Sequence, residues 1–284
     1  AEGGAAAALA NKDPRDSWQT HFRDTMKGGK YLGDWRMAQI HAQQAPDRIM
    51  ELDQWGAVFD RTTKGFTGQR NFGGHTYPRL AHIGDATGLE LIRTLQQKGI
   101  HEGIQVFIEY TVRRLFKKEG QVSGCFAYDR NDGSLHLFKG KAIVLATGGI
   151  TRCWEVCSGS WEYSGEGHAL AYWAGAEMGD MEFVQFHPTA IRLDDAPCFL
   201  ISEAVRGEGG VLVDALGGSP VAHLPQRDLS PRDQVSRALM QAMQRQQVKQ
   251  MWLDFAAIPR DQAERRFPTI LDRCDELGLN PLER

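Results

Sequence analysis

Three short stretches gather polar residues of the types that bind anions and move protons. In EFVQFHPTAI, His187 stands among apolar residues and precedes Pro188, which restricts its backbone and holds the ring in place. In FLISEAVRGEGG, Ser202, Glu203, Arg206 and Glu208 adjoin an apolar run, and Gly207, Gly209 and Gly210 leave room for a close backbone approach. In LSPRDQVSRA, Arg232 and Asp233 fall in the first turn of a predicted helix. Aspartate suits the positive end of the helix dipole; a cation there does not, and it invites a functional explanation. Taken singly, each stretch also has a plain reading: a hydrogen-bonded core histidine, a solvated charged turn, an ordinary helix start.

Two further stretches are shaped to let something approach the backbone. AIVLATGGI, residues 142–150, is a run of strand-forming residues that ends on Thr147, Gly148 and Gly149. Such a side-chain-free end is where ligands enter open α/β sheets, and it is equally what a tight turn needs. In GEGHALAYWAGA, Gly165 and Gly167 bracket Glu166 at the start of a predicted helix. The five cysteines are scattered, so no disulfide framework is expected. Cys153 and Cys157 are too far apart for a CxxC pair and have no second pair of thiols, so no metal site is expected.

The elements that must position these residues are read from periodicity and punctuation. Residues 34–56 form a predicted helix with Pro46 suited to a first helical turn and Gly56 as its stop, and Trp35, Met37, Ile40 and Trp55 are expected in the core. A second helix is expected over Asp85–Gly99, with Gly99 at its end. Short β segments follow, joined by turns at EG and NDG and closing on the 142–150 strand. From about residue 190 the composition shifts to the loop-rich LDDAPC, DALGGSP and LPQRDLSP. A helix over PRDQVSRALMQAMQRQQ comes next, with Ser230 as its N-cap and Pro231 in its first position, then a strand at KQMWLDF and two final helices. The expected domains are therefore 1–189 and 190–284. With 284 residues, 42% hydrophobic and 24% charged, the chain has a globular composition. A formal net charge of -3 lacks the basic footprint of a nucleic-acid binder, and no apolar run is long enough to span a bilayer.

Together, FVQFHPT, SEAVRGEGG and PRDQVSRA, preceded by ATGG and GEGHALA, resemble the flavoprotein subunit of succinate dehydrogenase and fumarate reductase. AEGGAAAAL, DSWQTHFRDTMKGGKYLGDW and QRNFGGHTYPRLAH extend the likeness over essentially the whole chain. The resemblance implies an α/β fold, α+β overall: a Rossmann-like FAD-binding domain with an inserted α+β capping domain. It places Gly3 and Gly4 against the flavin, Thr147, Gly148 and Gly149 along the cofactor, and Glu166 where the family usually has an aspartate for FAD. It gives His187 and Ser202 a substrate carboxylate, and Ser202 stands where threonine is usual. It makes Arg232 the proton-transferring residue, with Glu203 and Arg206 as a relay towards solvent. Arginine is almost never deprotonated, so this role needs a partner carboxylate to carry the proton on. The implied reaction interconverts succinate and fumarate, with hydride passing to flavin N5.

Two departures from the family pattern bear on these expectations. No GxGxxG turn for the FAD pyrophosphate is present, and the segment that carries further substrate residues is missing after LNPLER, so the sequence reads as a fragment without either end and is expected to hold FAD weakly or not at all. L-aspartate oxidase fits SEAVRGEGG equally well. Where that enzyme typically has a glutamate to meet the substrate ammonium, this chain has Phe72, which favours a dicarboxylate without an amine. A non-catalytic flavoprotein fragment is the remaining alternative. The resemblance also implies an iron-sulfur subunit and membrane anchor subunits as partners. It implies a peripheral position on the cytoplasmic side of the inner membrane or the mitochondrial matrix side.

Overall fold

The computed structural model describes residues 3–193 and 196–283. The chain divides into two compact units: 1–103 with 186–284, and 104–185. One of these divisions lies close to the composition shift at 190, but compactness groups residues 186–284 with the first hundred.

The first unit begins with β1 (Ala5–Ala6), α1 (Trp18–Gly28) and α2 (Trp35–Gln54). Ser17 caps α1 by accepting from the Thr20 N–H, and the Asp34 carboxylate caps α2 by accepting from Arg36 N at 2.8 Å. Pro46 lies deep inside α2 and not in a first turn. The helix runs through it on the buried stripe of Ala42, Ala45 and Ile49. Met37 and Ile40 lie on the other side of the helix and Trp35 is its first residue, one turn and more before the stripe begins, and these expected core residues are exposed, Trp35 by 53%. Strands β2 (Gln69–Arg70) and β3 (Leu80–Ala81) complete a small antiparallel sheet in the order β1-β3-β2, and α3 (Thr87–His101) follows. Gly99 is interior to α3, which stops instead at Gly103, where φ is +70°. Ala7, Ala45, Ile49, Ala57, Phe59 and Ala81 form this segment's core.

The second unit is a meander of β4 (Tyr110–Lys118), β5 (Gln121–Asp129) and β6 (Leu135–Lys139), followed by α4 (Glu166–Trp173). The expected turns at Glu119–Gly120 and Asn131–Gly133 join the strands. Phe107 packs edge-on against Phe138 and Tyr110, with ring centroids 4.7 and 5.4 Å away. The strand expected over 142–150 is not formed, and Val144 is 88% exposed. β propensity alone cannot order a strand without a neighbour to complete its ladder, and among the described residues none pairs with this run.

The chain then returns to the first unit with β7 (Ala190–Leu193) and β8 (Ala196–Leu200), α5 (Glu203–Gly207), β9 (Val211–Val213), α6 (Arg232–Gln246), β10 (Trp252–Asp254), α7 (Arg260–Arg266) and α8 (Pro268–Glu276). The flanks of LDDAPC, expected as loop, are the paired strands β7 and β8; residues 194–195 lie outside the described residues. Pro231, not Ser230, holds the cap position of α6, and the Ser230 hydroxyl instead accepts from Gln226 N. A core of Ile201, Val205, Phe255, Ile258, Phe267 and Ile270 lies beneath α5. The Asp85 carboxylate ties this segment to the first by accepting from Thr269 Oγ1 at 2.9 Å and Ile270 N at 3.3 Å at the start of α8.

Candidate active site

The antiparallel pairing of β7 with β8 continues one step past the strands. Ile201 N donates to the Thr189 carbonyl at 3.2 Å, and Thr189 Oγ1 donates to the Ile201 carbonyl at 2.9 Å. This register sets His187 beside Ser202 and Glu203 at the open end of the hairpin. Ser236 of α6 adds a hydrogen bond to the Phe186 carbonyl, drawing the first turn of that helix, and Arg232 with it, to the same place.

Glu203 is the hub of this arrangement and is only 3% exposed. One of its oxygens accepts from Gly73 N at 3.0 Å; the other accepts from Arg232 Nε at 2.7 Å and lies 3.5 Å from Arg206 Nη2. A buried carboxylate survives only when paired and hydrogen-bonded, and this one has both kinds of partner. Arg206 is buried behind it and donates to the Asp228 carbonyl. Burial pulls the Arg206 pKa down, Glu203 opposes that, and Arg232 adds to it. The charged turn expected from SEAVRGE alone is therefore a buried helix start.

His187 is fixed through Nδ1, which lies 2.8 Å from the Thr189 carbonyl and 3.2 Å from Thr189 N. Burial, and then Arg232, lower its pKa to about 4, so the ring is neutral at pH 7. Ser202 caps α5, its Oγ accepting from Ala204 N at 3.3 Å, which leaves the hydroxyl proton for another acceptor. The Arg232 guanidinium lies over the Phe72 ring, 5.4 Å from its centroid. A side chain at Gly3 would meet that same ring at 3.2 Å. Arg232, Glu203, Arg206 and Phe72 are thus brought into contact, with Gly3 against Phe72, and His187 and Ser202 join them through the hairpin.

Gly4 has φ +120°, and a Cβ there would stand 2.7 Å from the Ala81 carbonyl oxygen, so only glycine fits. Arg70 grips the preceding carbonyl, Gly3 O, with Nε at 2.9 Å and Nη2 at 2.6 Å. On the second unit, Thr147 packs its hydroxyl where a Gly167 side chain would be, at the first turn of α4, and space beside Gly149 is open. The Glu166 carboxylate is exposed and accepts from the Ser164 hydroxyl. The open backbone at Gly149 beside a helix start, together with a carboxylate that accepts from hydroxyls, fits a polyhydroxylated cofactor, whereas the Tyr163 ring covers Gly148.

The family model FAD_binding_2, an FAD binding domain, matches residues 1–284. The chain belongs to this family. Its cofactor is accordingly FAD. The succinate dehydrogenase flavoprotein subunit of Rickettsia conorii is 40% identical over 84% of this chain and 41% of its own length. The L-aspartate oxidase of Streptomyces coelicolor is 37% identical over 99% of this chain and 50% of its own. The FrdA chain of E. coli quinol fumarate reductase superposes with a TM-score of 0.93 at 28% identity, over 100% of this chain and 51% of that one. The chain therefore spans about half the length of the relatives it matches, and the mixed α/β fold is that of the fumarate reductase flavoprotein. Sequence reasoning missed the parts of the site that reach it from far along the chain: Gly73 and Arg70. For Arg70 and Gly73 the available signal was their place in QRNFGGH, on either side of Phe72.

Proposed function

We propose that the chain is part of an FAD-dependent oxidoreductase that interconverts succinate and fumarate and passes electrons to an iron-sulfur subunit. The observation that carries this reading is the buried Glu203 carboxylate in contact with both Arg232 and Arg206, beside a neutral histidine and a capped serine. His187 and Ser202 offer polar groups to the carboxylates of a dicarboxylate. Arg232 is partly exposed and Arg206, on the other hand, wholly buried, so the relay expected to run towards solvent through Arg206 instead runs inward, and a proton delivered at the Arg232 guanidinium has a carboxylate 2.7 Å away to receive it. Gly3 and Gly4 on the first unit, and Thr147, Gly148, Gly149 and Glu166 on the second, are the proposed cofactor residues; FAD, when bound, supplies the two-electron redox chemistry. The proposed domains are an FAD-binding domain over 1–189 and a capping domain over 190–284. The proposed position is peripheral to a membrane, held there by partner subunits; among the described residues no helix is long and apolar enough to cross a membrane.

The test is Arg232→Lys in the full-length flavoprotein, with succinate oxidation measured by an artificial electron acceptor. Lysine keeps the charge and loses the planar fork, so turnover should fall at least 100-fold, roughly the lower bound of general acid–base contributions, while a dicarboxylate inhibitor still binds. Near-normal turnover would remove Arg232 from the chemistry; equal loss of binding and turnover would make it an anchor. Phe72 separates this reading from an aspartate oxidase. With an aromatic ring under Arg232, no carboxylate at position 72 meets a substrate ammonium. Phe72→Glu should depress succinate turnover and raise activity on L-aspartate, and no change in either would dismiss Phe72 as a selector.

A further inference from the structure

The turn that carries Phe72 and Gly73 is fastened to α1 by one carboxylate. Asp24 accepts from Thr76 N at 2.8 Å and from Thr76 Oγ1 at 2.6 Å. It is itself held by Arg79, whose Nη1 lies 2.9 Å away, while Asp16 takes the other side of that guanidinium at 2.8 Å. Arg79 is wholly buried. Two residues before Thr76 the chain turns sharply: His75 N donates to the Phe72 carbonyl at 3.2 Å, and Gly74 has φ +82°. That turn aims the Gly73 N–H at Glu203 and places the Phe72 ring beneath Arg232. Glu203 is packed so tightly on Gly73 that a side chain there would strike its carboxylate and stand 3.2 Å from the Leu229 carbonyl.

On the reading that Glu203 relays the proton, we infer that Asp24 is a positioning residue for that relay. By fixing the Phe72–Thr76 turn, it sets both the N–H that orients one oxygen of Glu203 and the ring on which Arg232 rests. It thereby sets the 2.7 Å contact between Arg232 and Glu203. Asp24 touches neither reacting group. Its link to the relay runs through Thr76 and the turn, so loss of that link should slow turnover and leave substrate affinity alone.

The experiment uses the full-length flavoprotein, with succinate oxidation measured by an artificial acceptor in Asp24→Ala, Thr76→Val, Glu203→Gln, Glu203→Asp and the double variant Asp24→Ala/Glu203→Asp. Misplacement of about 1 Å costs about 100-fold, so kcat should fall on that order in Asp24→Ala and about tenfold in Thr76→Val, with KM and inhibitor Kd within about twofold of wild type. In the Glu203→Asp background, Asp24→Ala should add no further loss, because the contact it positions is already broken. A full multiplicative loss in the double variant would overturn the inference, as would turnover within twofold of wild type in Asp24→Ala and Thr76→Val while Glu203→Gln is inactive. Full activity in Glu203→Gln would instead sink the relay reading itself. If Asp24→Ala does not retain flavin, Thr76→Val decides alone, since Thr76 is exposed and its replacement leaves the Arg79 pairs intact.

Discussion

His187 is neutral at pH 7 because burial and Arg232 both oppose its charge. A substrate carboxylate at the free ring nitrogen reverses that balance: the imidazolium could then donate Nδ1–H to the Thr189 carbonyl and Nε2–H to the ligand. Binding should therefore take up a proton. From a free value of about 4, a higher value in the complex means that affinity grows as pH falls from 7 towards 5. Titrating a dicarboxylate inhibitor into the full-length protein across that range checks it; His187→Gln should abolish the slope attributable to the protein, and an equal slope in both would refute the assignment. His187 was readable from its apolar setting and Pro188. Its neutrality was not, because the cations that enforce it lie on other elements.

At the scale of elements, α8 begins at Pro268 without a side-chain cap of its own, and Asp85 supplies one from beyond the whole second unit. Asp85→Ala should cost about 1–3 kcal/mol, the penalty for leaving the buried Ile270 N–H unsatisfied, while Asp85→Asn keeps one acceptor and should lose less. Urea midpoints that fall with unchanged slope would show this; an unchanged midpoint would make the contact incidental. The existence of α6 and of the final pair was legible, but their caps were not: Pro231 replaces Ser230 at α6, and neither α7 nor α8 has a side-chain cap of its own. The face of α2 was not: Trp35, Met37 and Ile40 have core composition, but Ala42, Ala45 and Ile49 are the residues that pack. Likewise Glu203 and Arg206 have the three-residue spacing of one helical face, yet nothing local in SEAVRGE announces that both are buried.

Over the whole molecule, acid should be destabilising in a defined window. His21 and His82 are almost fully buried, and both have pKa values lowered to about 4, mainly by desolvation, with Arg79 and Arg70 respectively adding to it. For His82 this holds although the Asp60 carboxylate lies 2.9 Å from Nδ1 and favours the charged ring. Between pH 6.5 and 4 the unfolded chain takes up protons that these buried rings refuse. Their stabilising contribution is thus complete above the ordinary histidine value and falls as pH drops through the window. At about 1.4 kcal/mol per unit, His21 alone accounts for about 3 kcal/mol across it. Urea midpoints of the full-length protein should drop between pH 7 and 5, less steeply in His21→Gln; a flat profile would argue against neutral burial.

The hydrogen bond from Gly73 to Glu203 joins residues 130 apart in sequence, with all of Ile104–Gln185 between them. During synthesis at roughly 5–20 residues per second, the Phe72–Thr76 turn waits on the order of 10 s before its carboxylate exists. Closing so long a loop costs about 4 kcal/mol of chain entropy before the first contact repays any of it. The relay is therefore a late event in the life of each new chain. Until then, the turn that Asp24 fastens is a docking place held ready for a residue not yet made.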